Sequence, residues 1–170
     1  MNKKGQFDFP IITFVIIVAG LLFIAPFILK IVNSTLTPFE TALSNTPGGN
    51  QSGAVANVQI VHTTFINFWD GVLAIAFLIS VILLFVSAFL IDTSPVFMVL
   101  YIILLFLTVA FAPNILKAIN NIYESAQFAT EVSALAFMDF LRLNFGLVIT
   151  VIGVLTMIII YAKVRFFPSK

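Results

Sequence analysis

The sequence contains no cysteine. That excludes disulfides, thiolate nucleophiles, zinc–thiolate sites and iron–sulfur ligation within the chain, and it leaves the redox compartment open. A single histidine, His62, rules out His-x-x-x-His and di-histidine metal sites. Charge is scarce as well: 9% of residues are Asp, Glu, Lys or Arg, against about 25% in a soluble domain. Eight Lys/Arg face seven Asp/Glu for a net charge of +1, so the basic excess that a nucleic-acid partner requires is missing. What fills the 170 residues instead is 61% hydrophobic side chains, with a mean hydropathy of +1.17. This balance excludes both an ordinary water-soluble fold and disorder.

Four runs free of charge, residues 9–29, 71–91, 93–116 and 143–162, reach bilayer-crossing length. A helix needs about 20 residues for a ~30 Å hydrocarbon core. Helices are expected because lipid offers backbone groups no partner, whereas barrel strands would alternate. The expected fold class is therefore all-α and integral to the membrane. The first run exceeds the 7–15-residue core of a secretory signal and is read as retained. Flanking charges give the expected topology. With both termini in the cytoplasm, Lys3, Lys4, Lys163, Arg165 and Lys170 lie inside, and Lys30, Lys117 and Arg142 lie outside. Asn33-Ser34-Thr35 and Asn50-Gln51-Ser52, two glycosylation-type triplets, fall in the first outer loop. The chain is expected to be a multi-pass protein of the cell membrane.

The connections differ in kind. Asp92-Thr93-Ser94-Pro95 reads as a tight turn with helix-start character, which should make spans two and three antiparallel neighbours. Thr37-Pro38-Phe39-Glu40 has a capping-box pattern, predicting a short helix that starts there. Beyond it the Pro/Gly-rich residues 45–53 form a hinge. Val55, Val58, Val61, Phe65, Phe68 and Val72 then recur at helical spacing, so span two should begin well outside the membrane. Between Lys117 and Arg142, Ile119, Ile122, Ala126, Ala129, Val132 and Ala136 line one helix face, while Glu124, Glu131 and Asp139 mark a wetter side.

The two halves resemble each other. Ala25-Pro26-Phe27-Ile28-Leu29-Lys30-Ile31-Val32-Asn33 aligns with Ala112-Pro113-Asn114-Ile115-Leu116-Lys117-Ala118-Ile119-Asn120, with Pro, Lys and Asn among the identities. Asn67-Phe68 and Asn144-Phe145 then open spans two and four. The expected organisation is two parallel-repeated helical hairpins with amphipathic outer segments, related by an axis along the membrane normal. The first covers 1–92 (spans about 9–32 and 66–91, hinge 45–53), the second 93–170 (spans about 95–117 and 143–163). The candidate structural residues are Pro26, Lys30, Asn33, Asn67, Asp70, Pro113, Lys117, Asn120, Asp139 and Asn144. Each proline removes a backbone donor near a helix exit. Lys30 and Lys117 either snorkel to the interface or pair with Asp70 and Asp139 respectively.

Lys3-Lys4-Gly5-Gln6 followed by a long apolar helix resembles the class III signal of archaeal type IV pilin-like precursors. The resemblance implies cleavage between Gly5 and Gln6 by a prepilin peptidase, and an archaeal-like origin. It covers the N-terminal signal and first span only. Pilins carry one such helix and a soluble domain, and this chain has three further spans.

Little in the sequence converges as chemistry. His62 and Asp70, eight residues apart, are expected to be structural or interfacial. Gly48-Gly49-Asn50-Gln51-Ser52-Gly53 lacks the Lys-Ser/Thr of a phosphate cradle. Glu124 and Glu131 read as a solvated helix face. The four cores hold no ionisable residue; their polar groups are Thr13, Ser80, Ser87, Thr108, Thr150 and Thr156, with Gly20, Gly146 and Gly153. Carriers and proton relays usually show intramembrane charge, while small and hydroxylated residues suit helix–helix packing. No catalytic residue, cofactor or metal ligand is expected. The expected function is a non-enzymatic structural or assembly subunit of an oligomeric membrane complex. Its expected partners are lipids and copies of itself or other membrane subunits; the alternative is a pore or channel, including a holin-like one.

Overall fold

A computed structural model describes residues 10–48, 53–90 and 95–166, with the side chains of Pro95 and Phe97 left aside. The Lys3-Lys4-Gly5-Gln6 motif, the centre of the hinge at 49–52, the 91–94 connection and the last four residues lie outside the described residues. Among the described residues there is no strand. The helices are α1 (Pro10–Ser44), α2 (Ala54–Leu90), α3 (Pro95–Tyr123), α4 (Ala129–Ser133), α5 (Ala136–Leu143) and α6 (Phe145–Phe166). Four stretches, Pro10–Ser44, Ala54–Leu90, Met98–Tyr123 and Phe145–Phe166, are long and apolar enough to cross a membrane. The chain is all-α and, by length and composition, a multi-pass membrane protein.

α1 has 35 residues and α2 37. At 1.5 Å per residue each measures roughly 50–55 Å, well beyond a ~30 Å core. α1 runs unbroken through Pro26 and Pro38 to Ser44, so no separate helix starts at Thr37-Pro38. The reason is tertiary. Asn33 and Glu40, on either side of Pro38, both bond His62 of α2, which holds together the turns that the proline weakens. α1 ends at Ser44 and α2 begins at Ala54, so the Pro/Gly-rich residues lie between two helices. Gly48 (φ 81°) and Gly53 (φ 72°) in this segment take left-handed conformations that other residues adopt at a cost.

α1 and α2 pack antiparallel. Phe14 meets Phe77 at 6.1 Å between ring centroids, while Asn33 and Glu40 reach His62. α3 and α6 likewise pack antiparallel, with Tyr101 and Leu105 of early α3 against Gly153 of α6, and Asn120 of late α3 bonded to Arg142, just before α6 begins. α1 also lies beside α3, and α2 beside α6. Around the bundle the order is therefore α1, α2, α6, α3. α2 and α3, joined by the short 91–94 connection, face each other across the diagonal and not as packed neighbours. A short connection restrains only helix ends; partner choice is decided by side chains along the whole length.

This order bears on the internal similarity. A two-fold axis along the membrane normal would set α1 opposite α3 and α2 opposite α6. Both pairs are instead adjacent, so the matched segments sit side by side without the expected axis.

The bundle axis is filled. Ile11, Phe14, Val15, Val18, Leu22, Ala25 and Leu29 of α1 are buried at three- and four-residue steps and meet Leu73, Phe77, Leu84 and Ala88 of α2 and Phe145, Ile149, Ile152 and Ile160 of α6 in one core. α3 takes a smaller part: 11% of its apolar window is buried, against 39% for α1. Three hydroxyls inside the spans bond carbonyls of their own helices, Ser80 on the Ala76 carbonyl (2.8 Å), Thr108 on Leu104 (2.7 Å) and Thr156 on Ile152 (2.8 Å). In these three the back-bonding meets the hydroxyl's donor without a partner from lipid. Tyr101, inside the third span, is buried, and its hydroxyl donates across helices to the Gly153 carbonyl at 3.2 Å.

At Gly153 a Cβ would stand 2.3 Å from Cδ1 of Leu105. Gly153→Val is expected to lower stability by about 1–3 kcal/mol through overpacking, read as a drop in thermal unfolding temperature in detergent. Adding Leu105→Ala should recover part of that loss, because the clash is with one side-chain tip.

Candidate functional site

Apart from Lys163 and Arg165 in the last turn of α6, the described charged side chains gather at one end of the bundle, where α3 hands over to α6 through α4 and α5. Four contacts hold this connection down.

The first caps α5. Its N-cap residue Leu135 contributes no side-chain bond, and the carboxylate of Asp70, on α2, takes that place. The Phe137 N–H donates to Asp70 Oδ2 at 2.8 Å and the Met138 N–H to Oδ1 at 3.3 Å. A negative group there satisfies orphan donors and complements the helix dipole.

The second centres on Arg142. Its guanidinium donates to Asp139 Oδ1 at 2.8 and 3.0 Å and to Asn120 Oδ1 at 2.8 Å, and stands 3.8 Å from Glu124. It also lies over the Tyr123 ring at 5.3 Å. One side chain, 13% exposed, thus ties α5 to the end of α3.

The third is a chain of four residues. Glu40 Oε1 is 2.9 Å from His62 Nδ1, His62 Nε2 is 2.7 Å from Asn33 Oδ1, and Asn33 Nδ2 donates to Glu131 Oε1 at 3.2 Å. It links α1, α2 and α4. Glu131 is 7% exposed, and the expected solvated acidic face is corrected: Glu124 is on the surface (71%) and Glu131 is not. The cause is a change of helical register. α3 ends at Tyr123, and breaks at 124–128 and 134–135 separate α4 and α5, so the buried positions become Phe128, Glu131, Leu135, Met138 and Leu141. Ala126, Ala129 and Ala136, expected on the apolar face, are exposed.

The fourth is Lys30. Its ammonium donates to the Gln127 carbonyl and lies 5.0 Å from the centre of the Phe128 ring, which in turn meets Phe27 edge-on at 4.8 Å.

Of the expected pairs, neither Lys30–Asp70 nor Lys117–Asp139 forms. Asp70 is taken by the α5 amides, Asp139 by Arg142, and Lys117 is exposed on α3. Amides and carboxylate partners nearer in space win over lysines matched only in depth. The residues of the aligned motifs part ways too. Pro26 is fully buried and Pro113 exposed; Asn33 bonds a histidine and a glutamate, while Asn120 accepts from Arg142. Asn67 is exposed, and Asn144 donates to the Phe140 carbonyl at 2.9 Å. Asn33 lies within α1 with its amide engaged, so its triplet is not an open loop; Asn50-Gln51-Ser52 lies outside the described residues.

Glu40, His62, Gln127, Glu131 and Arg142 are the contributors that sequence reasoning left off the candidate set. The Asp139/Arg142 spacing of three residues was a readable signal for a helical ion pair. Nothing in the sequence links Glu40 to His62, or Asn33 to Glu131, since those contacts span 22 and 98 residues. Chemically, among the described residues each carboxylate and the imidazole is spent on a partner within the chain. Among the described residues no group of three His, Asp or Glu converges on a point as metal ligands would.

Asp70→Ala is expected to cost about 1–2 kcal/mol, the typical loss of a helix cap. Its signature should be local, with faster hydrogen exchange at the Phe137 and Met138 amides and little change in the α1 core. Uniform acceleration across all four spans would contradict the capping role.

Compared with known proteins, the chain matches no protein-family model, no curated protein and no solved structure.

Proposed function

We propose that this chain is a non-enzymatic structural or assembly subunit of an oligomeric complex in the cell membrane, with both termini in the cytoplasm. The observation that carries the reading is the division of its surfaces. The bundle axis is packed with apolar side chains, and at the α4–α5 end the described carboxylates, His62 and Arg142 are committed to partners within the chain. What remains on offer is outer surface. α3 presents Val99, Ile103, Phe106 and Phe111, each more than half exposed. In lipid such a face gains little from mere burial, so association rests on close packing with a matching surface. The five-to-three distribution of Lys and Arg supports the orientation.

Mass measurement of the particle in nanodiscs tests this directly. An assembly of defined stoichiometry, shifted to smaller particles by Phe106→Ala with Phe111→Ala, is the expected result. A monodisperse monomer with no co-purifying chain would contradict the proposal, and robust ion flux in reconstituted liposomes would favour a pore instead.

A further inference from the structure

The contacts Glu40–His62–Asn33–Glu131 can be counted in protons. Each of the three links needs one hydrogen between its heavy atoms. The Asn33 amide has one donor end and one acceptor end, so it supplies the hydrogen for one of its two links whichever way it is turned. With Nδ2 on Glu131, as the structure has it, the link to His62 Nε2 takes its hydrogen from the ring. The link from His62 Nδ1 to Glu40 needs another, from the ring or from the carboxyl. Three complete links therefore require two titratable protons. A neutral imidazole with two carboxylates supplies one. Without the second, one contact sets lone pair against lone pair, beside a glutamate that is 7% exposed.

We propose that Glu40, His62, Asn33 and Glu131 form a binding site for one proton, whose uptake latches α4 onto the α1–α2 pair and whose release to water frees it. The surrounding charged groups are otherwise engaged. On α1, Lys30 is held by the Gln127 carbonyl; on α2, Asp70 is held by the α5 amides; on α5, Asp139 and Arg142 hold each other. Glu124, after α3, stands by Arg142. The closed and open forms thus differ by a proton shared among three named groups, and α4 is the element that moves. This inference is independent of whether the protein assembles into a larger complex.

A substitution separates this mechanism from a simple ion pair. A carboxamide carries its own hydrogen. In Glu40→Gln the new amide can donate to Nδ1 while Nε2–H donates to Asn33, and all three links close around a neutral ring. Glu131→Gln achieves the same with Asn33 reversed. Both variants are expected to stay latched where the native chain opens, whereas a simple His62–Glu40 ion pair would be lost in Glu40→Gln.

The chain has no cysteine, so spin labels at Gln59→Cys on α2 and Thr130→Cys on α4, both exposed, report their separation in nanodiscs without interference. Over about pH 5 to about pH 10, a range that brackets histidine titration, the native sequence should lose its short-distance population on the alkaline side. Each glutamine variant should keep it. His62, the only histidine, gives a second readout, because its ring 15N resonances should change at the same pH as the distance. A native distance that ignores pH, glutamine variants that open as the native chain does, or a ring titration with no change in distance would each overturn the proposal.

Discussion

In hydrocarbon an unpaired polar group costs several kcal/mol, because nothing outside the protein can take its hydrogen bond. The arrangement of this chain follows from that penalty. Its spans are helices, which satisfy their own backbones. The hydroxyls of Ser80, Thr108 and Thr156 turn back on carbonyls four residues earlier. Ionisable groups are kept out of the four cores. Polar specificity is consequently displaced to one end, where α4 and α5 bridge α3 and α6.

At that end the contacts act as locators more than as a source of stability. A single hydrogen bond is worth about 1 kcal/mol net, and those to charged groups somewhat more. Asp70, Arg142, Lys30 and the Glu40–His62–Asn33–Glu131 chain each join segments far apart in sequence. Together they fix where two short helices lie, helices that at five and eight residues are too short to persist alone. Burying Glu131 and most of Arg142 to do so makes the layer sensitive to loss of any one partner, since the other would be stranded. That sensitivity is also what lets a single proton matter.

The side-by-side placement of α1 with α3 and of α2 with α6 has a further consequence. Adjacent helices of matching direction do not close a two-fold pair, and α3 keeps a broader open face than α1, with 11% of its apolar window buried against 39%. The segments that look alike in sequence therefore face different surroundings. Pro26 is interior and Pro113 exposed.

Much of this was legible from the residues. Charge-free runs gave the spans, and the Pro/Gly-rich segment marked the break between α1 and α2. Pattern alone misplaced the start of a helix at Pro38, the neighbour of α2, the register beyond Tyr123 and the partners of Lys30 and Asp70. Each of those depends on a side chain from another element: His62 holding both sides of Pro38, Leu135 and Met138 turning inward after two breaks, α5 amides outcompeting a lysine. Hydropathy is a local quantity summed along the chain, so sequence by itself determined that the chain crosses a membrane, where, and as helices. Which helices touch, and which polar atoms meet, is set by packing between residues up to 98 positions apart, and only the tertiary structure decided it.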